Sequence, residues 1–583
     1  MQPKVQTEHL APGVILIVGG GPVGLVLATT LAHHGVRSVI LERNFTTTRW
    51  PKMDLTTARS MEILKRLGIA QRLRERAVPS HHPFTCLFSS GLAADKAITS
   101  WQLPSVDKYR GEIAARNDGT MPMEPWLRIS QEIFEAWLKS LSDSNPLIEF
   151  RAGWQVTASK EYDERAEVTC RQVSTGDERS IQADFVVGCD GARSVLREGL
   201  GIKLDGGPLP AQALLVHFKS KDLSRIQKQG QFWHLFFPNK AADGGGVKGA
   251  VIAQDEIDTW TVHLFLHAGD DPARISSDDA VASVLGGIGD PFPIKIDEVL
   301  VRSTWSPSIA VAQSYAGPKQ RILLAGDACH QVLPTGGYGM NSGVADAYDL
   351  GWKLAASVNG WAGPRLLASY EEERRPVAEL VAHWSKTHMG NLSRLPIATS
   401  IDEHINSDSP KGRDMRAAVH DFLQTHDGHN QSIGVEMGYG YQSGICIHSP
   451  LDDDRAAPVF DARKCTPTTY PGYRAPHVVL KGGEPIYDHF GKAFTLVVFD
   501  GPDARAQPSP WAKKAVECFG AAARKHRVPL SVVVLYGEAH AASVWDARIV
   551  LVRPDEFVSW HGNEVDDQEA VEYTLLRAIG FSV

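Results

Sequence analysis

The sequence predicts a chain of mixed α/β and α+β class. A doubly wound parallel sheet is interrupted by an antiparallel insertion and followed by a second, smaller α/β unit. Three observations predict this. Short apolar runs at 14–18, 185–187 and 322–325 each lead into Gly or Asp, as buried parallel strands do before a ligand-binding turn. Between 206 and 299 the apolar residues alternate with polar ones, the period of a half-buried antiparallel sheet. From about 440 onward, strand-like and helix-like stretches alternate again.

The first element is "VILIVGGGPVGLVLATTLA", residues 14–32. Its 19 residues carry no charge, but a membrane helix needs about 20 apolar residues in one continuous run. Here the glycines and Pro22 divide the segment into strand, turn and helix. Gly19, Gly21 and Gly24 spell G-x-G-x-x-G. The first permits a tight turn, the second lets backbone approach a pyrophosphate, and the third allows close helix–strand packing. The helix start offers amides and the positive end of its dipole to phosphates. Gly35 ends the helix, and "SVILE" reads as the next strand, closing at Glu42. A carboxylate there can accept hydrogen bonds from a ribose. The segment predicts a dinucleotide site without separating NAD from FAD.

Two later elements extend that site. "ADFVVGCDGARSVLRE" places Asp190 and Gly191 after a strand, with Ser194 and Arg197 beyond. "LLAGDACHQVLPTGGYGMNSGVADAYDLGWKLA" places Asp327 after another, then a loop with Pro334, then a helix expected near Asn341. Ligands collect at the carboxyl ends of parallel strands, so three such ends point to one long ligand. A short carboxylate can hold sugar-like hydroxyls, and bare helix-start amides can hold partial negative charge.

The insertion contains "ALLVHFKS", "QFWHLFFPN", "GAVIAQ" and "TWTVHLFLHAG". In the last, Trp260, Val262, Leu264 and Leu266 share one strand face. This predicts a substrate domain at 206–299, with 80–105 a possible addition. His217, His234 and His263 could line its pocket, although single strand histidines are more often structural. Residues 396–439 are polar and read as a linker. The segments "FTLVVFD", "LSVVVLY" and "ARIVLVRP" then supply strands of the last unit, 440–583.

Composition narrows the function. The 583 residues carry a net charge of −8, which points away from nucleic acid. Seven scattered cysteines include no C-x-x-C pair, so neither a metal centre nor a dithiol redox site is expected. Reduced thiols of this kind fit a cytoplasmic protein. The polar stretch "MQPKVQTEHLAPG" lacks the apolar core of a secretory leader.

Together the three loops resemble the fingerprint, DG and GD motifs of class A FAD-dependent aromatic hydroxylases. "WPKMDLTTARSMEILKRLG", "EPWLRISQEIFEAWLKSL", "PGYRAPHVVL", "IYDHFGKAFTLVVFD" and "ARIVLVRPDEFVSWHG" resemble the phenol and chlorophenol hydroxylase branch. The resemblance implies a Rossmann-like FAD domain from 1–205 and 300–395 and a thioredoxin-like C-terminal domain, structural or homodimer-forming. It implies non-covalent FAD, with the ADP half on the first loop, and NADPH or NADH as a transient reductant. Asp327 would hold the ribityl hydroxyls, while Gly339, Met340 and Asn341 would face the flavin ring. Gln131 matches a glutamine near the flavin, Arg128 could join it, and Arg43 stands beside the dinucleotide site. Arg43, Arg49 and Lys52 do not choose between NADH and NADPH.

The implied reaction is hydroxylation of a small phenolic or other electron-rich aromatic substrate by O2, through a flavin C4a-hydroperoxide. Asp54 matches an aspartate that contacts the substrate hydroxyl in phenol hydroxylases, giving it the catalytic role. It could instead cap the following helix, although Thr56 and Thr57 stand closer to that start. Baeyer–Villiger, dehydrogenase and non-catalytic flavoprotein readings stay open. The W-x-W-x-I-P motif of flavin halogenases is absent.

Overall fold

A computed structural model describes residues 6–267, 269–449, 452, 456–501 and 508–582. Its centre is a five-stranded parallel sheet in the order Ile322–Leu324, Phe185–Gly188, Ile15–Val18, Ser38–Glu42 and Ile148–Ala152. These strands are short, apolar and β-branched because both faces are covered. The helices Pro22–His33 and Tyr338–Val358 pack against each other there, with Gly351 meeting Thr30 at close range. The three loop-bearing strands are adjacent, so their carboxyl ends open onto one edge of the sheet.

A seven-stranded sheet forms the second layer. Its order is Glu298–Trp305, Gln212–Lys219, Thr259–Leu266, Val247–Ala253, His234–Pro238, Cys86–Phe88 and Thr99–Trp101. Its pairs are antiparallel except for His234–Pro238 with Cys86–Phe88, which run parallel. The strands near 86 and 99 therefore belong to this sheet, far in sequence from their neighbours. Leu214, Val216, Val251, Val262 and Leu264 bury one face under the helix Ser277–Gly286.

The stretch 396–439 is more than a spacer. The helix Ala368–Ala398 runs into it, and the helix Pro410–Thr425 buries Met415, Val419 and Leu423 against Trp101 and Phe236 of the sheet. The polar sequence reflects only the helix's solvent side.

The C-terminal sheet orders Leu530–Tyr536, Phe494–Asp500, Ile549–Val552 and Val558–Gly562, the first pair parallel and the rest antiparallel. The helices Pro510–Lys525, Ala539–Trp545 and Gln568–Ala578 complete the thioredoxin-like layout. Trp352 and Trp361 enter its core. Charges are buried at the same junction. Arg553 Nη1 and Nη2 donate to Glu373 at 2.6 and 2.8 Å, and Arg553 Nη2 to Asp555 at 2.6 Å. Lys353 bonds Asp349 and Glu373 at 2.8 and 2.6 Å. No helix among the described residues is long and apolar enough to cross a membrane.

Candidate active site

The first glycine loop has the shape its sequence requires. Gly19 has φ +106°, and a Cβ there would stand 2.3 Å from the carbonyl oxygen of Cys189. A Cβ on Gly24 would strike the carbonyl oxygen of Gly19 at 2.0 Å. A Cβ on Gly21 would meet nothing within 4 Å, so this loop face is open. Gly21 is also the N-cap of the helix and offers no side-chain cap. Glu42 Oε2 accepts from the Gly20 amide at 2.8 Å, and Oε1 accepts from Asn44. Glu42 thus ties the loop to the second strand, and a carboxylate keeps acceptor sites beyond these two. Arg43 is exposed beside it.

The second and third loops are tied together. Arg197 donates to the carbonyls of Ala192 and Ala328 at 3.1 and 3.2 Å. Asp190 Oδ1 is buried without a hydrogen-bond partner among the described residues, and burial raises its pKa. Asp327 is accessible, yet it sits deep enough in the surrounding protein that desolvation raises its pKa, against His330 and Lys52. That combination describes the floor of a cleft. The buried Asp346, absent from the sequence reading, holds this loop. It accepts from the Gly326 amide at 3.1 Å, His330 Nε2 at 2.6 Å and Arg374 Nε at 2.8 Å. Burial opposes its charge, but His330 and Arg374 win and take its pKa to about 2.

The long helix begins at Tyr338, three residues before its expected start. Gly336 and Gly337, at φ +88° and +66°, turn the chain early, and only glycine adopts such angles at little cost. The Gly337 amide bonds Pro334, and no side chain caps the helix. Its first amides, including those of Gly339 and Met340, therefore sit at an uncapped start. The Asn341 side chain is taken up by the protein itself. Its Oδ1 accepts from the Thr57 amide at 2.9 Å, and its Nδ2 donates to Leu55 and Gly337. The side chain is fully occupied in fastening the Asp54 segment to the helix.

A carboxylate oxygen without a partner, an open glycine loop and two helix starts without side-chain caps, on one sheet edge, suit a long ligand with a phosphate centre and hydroxylated arms. FAD fits this donor set. Gln131 stands at a helix start nearby, its amide donating to Met53 O at 2.8 Å and its Nε2 to Glu135 at 3.3 Å. Arg128 does not join the group. It lies on a short strand, donates to Glu256 at 2.5 Å and Ala253 at 2.8 Å, and links the two layers.

Asp54 lies beside the Asn341 brace. Thr57 caps the helix Ala58–Arg66, its hydroxyl accepting from Ser60, so Asp54 is not the cap. Its Oδ2 instead accepts from Trp233 Nε1 at 2.7 Å and bonds His234 Nε2 at 2.8 Å. Burial alone would raise this carboxyl's pKa. The adjacent His234, the Trp233 hydrogen bond and Arg128 outweigh burial and lower it. Of the three strand histidines, His234 alone bonds Asp54. His217 binds Trp260 O and Thr261, and His263 accepts from Trp305 Nε1 at 3.1 Å. Trp233 also lines a small pocket with Leu55, Phe84, Trp126, Gly336, His429 and Glu436. Its space is about 10 Å3, enough for one water-sized group. His429 and Glu436 come from 396–439, where the sequence offered no signal beyond a polar stretch.

A family model described as an FAD binding domain matches residues 13–385, and one described as aromatic-ring hydroxylase, C-terminal, matches 468–581. The chain belongs to the FAD-binding aromatic-ring hydroxylases. The hydroxylase is 61% identical to the FAD-dependent monooxygenase apdD of Emericella nidulans, over 100% of this chain and 92% of that one. It is 27% identical to phenol 2-monooxygenase of a Pseudomonas species, over 96% and 92%. Among solved structures, the flavin-dependent monooxygenase PieE in complex with FAD and substrate matches with TM-score 0.84 and 27% identity, over 98% of this chain and 100% of PieE. The hydroxylase is thus an enzyme, a flavin monooxygenase that uses FAD, with NAD(P)H and O2 as co-substrates typical of its family.

Proposed function

We propose that this monooxygenase hydroxylates a phenol, and that Asp54 engages the phenolic hydroxyl. The observation carrying this is the Asp54 carboxylate, freed from helix capping and held by Trp233 and His234. FAD would lie against Gly19, Gly21, Gly24, Glu42, Asp190 and Asp327, with Gly339 and Met340 at its ring end. When bound, it supplies reduction by NAD(P)H and activation of O2 for transfer of one oxygen atom.

The protein's part is to make the ring electron-rich where it is attacked. Full ionisation of a phenol with pKa about 10 costs about 4 kcal/mol at pH 7, three units at 1.36 each. Asp54, kept charged by its neighbours, accepts a hydrogen bond from the hydroxyl and polarises it. Its lowered pKa suits orienting and polarising better than retaining a proton. Trp233 and His234 fix the carboxylate, while the Asn341 brace fixes the backbone behind it. The seven cysteines are all unpaired, which fits a cytoplasmic location. A homodimer rests on family resemblance alone, and sedimentation of the holoenzyme tests it.

A phenol and its methyl ether test the reading. The phenol should give hydroxylated product with stoichiometric NAD(P)H use, and the ether should give none. Equal hydroxylation of both would exclude a role for the hydroxyl.

A further inference from the structure

The small pocket beside Trp233 has polar groups among its lining residues. Trp126 lines it, and the buried Trp126 Nε1–H has no partner among the described residues. His429 lines it too, 8% exposed, with Nδ1 also unpartnered. Glu436 projects from the helix Ile433–Met437 into the same lining. No Lys or Arg lines this pocket. A buried polar atom without a partner costs about 1–3 kcal/mol, so the two unpartnered nitrogens, with the Glu436 carboxyl beside them, call for something to complete them.

We propose that this pocket receives a neutral carbonyl oxygen of the aromatic substrate, accepting hydrogen bonds from Trp126 Nε1 and the Glu436 carboxyl. The proposal rests on the phenol reading and specifies the substrate class: a phenol bearing a ketone, amide or lactam carbonyl, not a carboxylate.

The charge state agrees with the geometry. Burial raises the Glu436 pKa to about 8, with Glu62 adding and the Ala58 amide opposing, so the carboxyl is mainly protonated at neutral pH and can donate. Burial also takes His429 well below its usual range, leaving it neutral. A carboxylate would find no cation here and would face Glu436. The gap's volume suits one oxygen atom rather than a whole ring. The deciding residues 429 and 436 fall between the two family-matched segments, 13–385 and 468–581. They are therefore a place where this chain can set its own specificity.

The test uses FAD-loaded enzyme and three probes: 4-hydroxyacetophenone, 4-ethylphenol and 4-hydroxybenzoate, with Kd read from the flavin absorbance change. The ketone should bind at least about 5-fold tighter than either other probe, the low end of one hydrogen-bond penalty. Glu436→Leu should reduce the ketone-to-ethylphenol ratio to about one. Glu436→Gln, which still donates, should restore most of it, and Trp126→Phe should lower it by a smaller factor. Tighter binding of the carboxylate, equal binding of all three, no binding by any, or an unchanged ratio in Glu436→Leu would each overturn the proposal. Flavin content of each variant reports folding. Ketone binding without any phenol-stimulated NAD(P)H oxidation would instead overturn the phenol-hydroxylation reading alone.

Discussion

Two regions of this molecule desolvate carboxylates, and they differ in how many cations they set against them. At the junction with the C-terminal unit, Glu373 is held by Arg553 and Lys353, and Glu556 by Arg59 and Arg66 at 3.1 and 2.9 Å. Burial would raise the Glu373 pKa, but Arg553 and Lys353 bring it to about 2. Near Trp233, Asp54 has a histidine and an indole, Glu436 has no cation, and Trp126 and His429 keep unpartnered nitrogens. Matched buried charge closes a structure. Buried polar groups left incomplete keep a place for a ligand. The physical rule is the same in both: an uncompensated buried polar group is costly, so whatever completes it is bound.

The comparison breaks most visibly at Arg553. Arg553→Met strands Glu373 and Asp555 without their guanidinium, and removing one partner of a buried pair costs about 3–5 kcal/mol. Thermal unfolding of the holoenzyme should show this as a lower Tm. An unchanged Tm would mean the junction charges are not structural.

On the ligand side, Asp54→Asn keeps the Trp233 and His234 contacts but loses the charge. Hydroxylation should fall at least about 100-fold, with FAD still bound and NAD(P)H still consumed, the oxygen leaving as hydrogen peroxide. Product and peroxide assays check this, and a wild-type hydroxylation rate would remove Asp54 from catalysis.

Asp327→Ala tests the cleft floor. One charge-assisted hydrogen bond is worth about 1.5–3 kcal/mol, so FAD affinity should drop by about one to two orders of magnitude. Titration of apoenzyme with FAD measures it, and unchanged affinity with lost thermal stability would make Asp327 a structural acid.

The smallest effect is the most diagnostic of the contrast. With its folded pKa raised from 4.5 to about 8, Glu436 binds a proton that the unfolded chain has already released between those values. Stability from this group is full below pH about 4.5 and declines as pH rises toward 8. Glu62 and the Ala58 amide face this carboxyl, and Tyr109 and Tyr338 feel its charge. Glu436→Gln should flatten that decline in Tm between pH 5 and 8. Glu373 runs the other way, its stabilisation present above its unfolded pKa and lost as pH falls toward 2.

Much of the cofactor side was legible in the sequence, because a phosphate-binding turn is a local device. Gly19 and Gly24 could be read from close backbone approach and the lack of a Cβ, Gly21 from its place at an open helix start, and Asp190 and Asp327 from their place at strand ends. Periodicity likewise marked the sheets and the C-terminal unit. What the sequence left open were contacts between residues far apart in the chain. The Thr57 cap needed only a helix start, but the Asp54 contact with Trp233 and His234 spans about 180 positions. The Asn341 side-chain contacts with Leu55 and Thr57 likewise join distant segments. Asp346, Glu436 and the buried junction carried no sequence signal, and Arg128 carried one that its Glu256 and Ala253 contacts overturned, since a polar side chain's role depends on what lies opposite. Local order fixed the backbone devices; only tertiary packing, by deciding which polar groups lose water and which are given partners, fixed the substrate end.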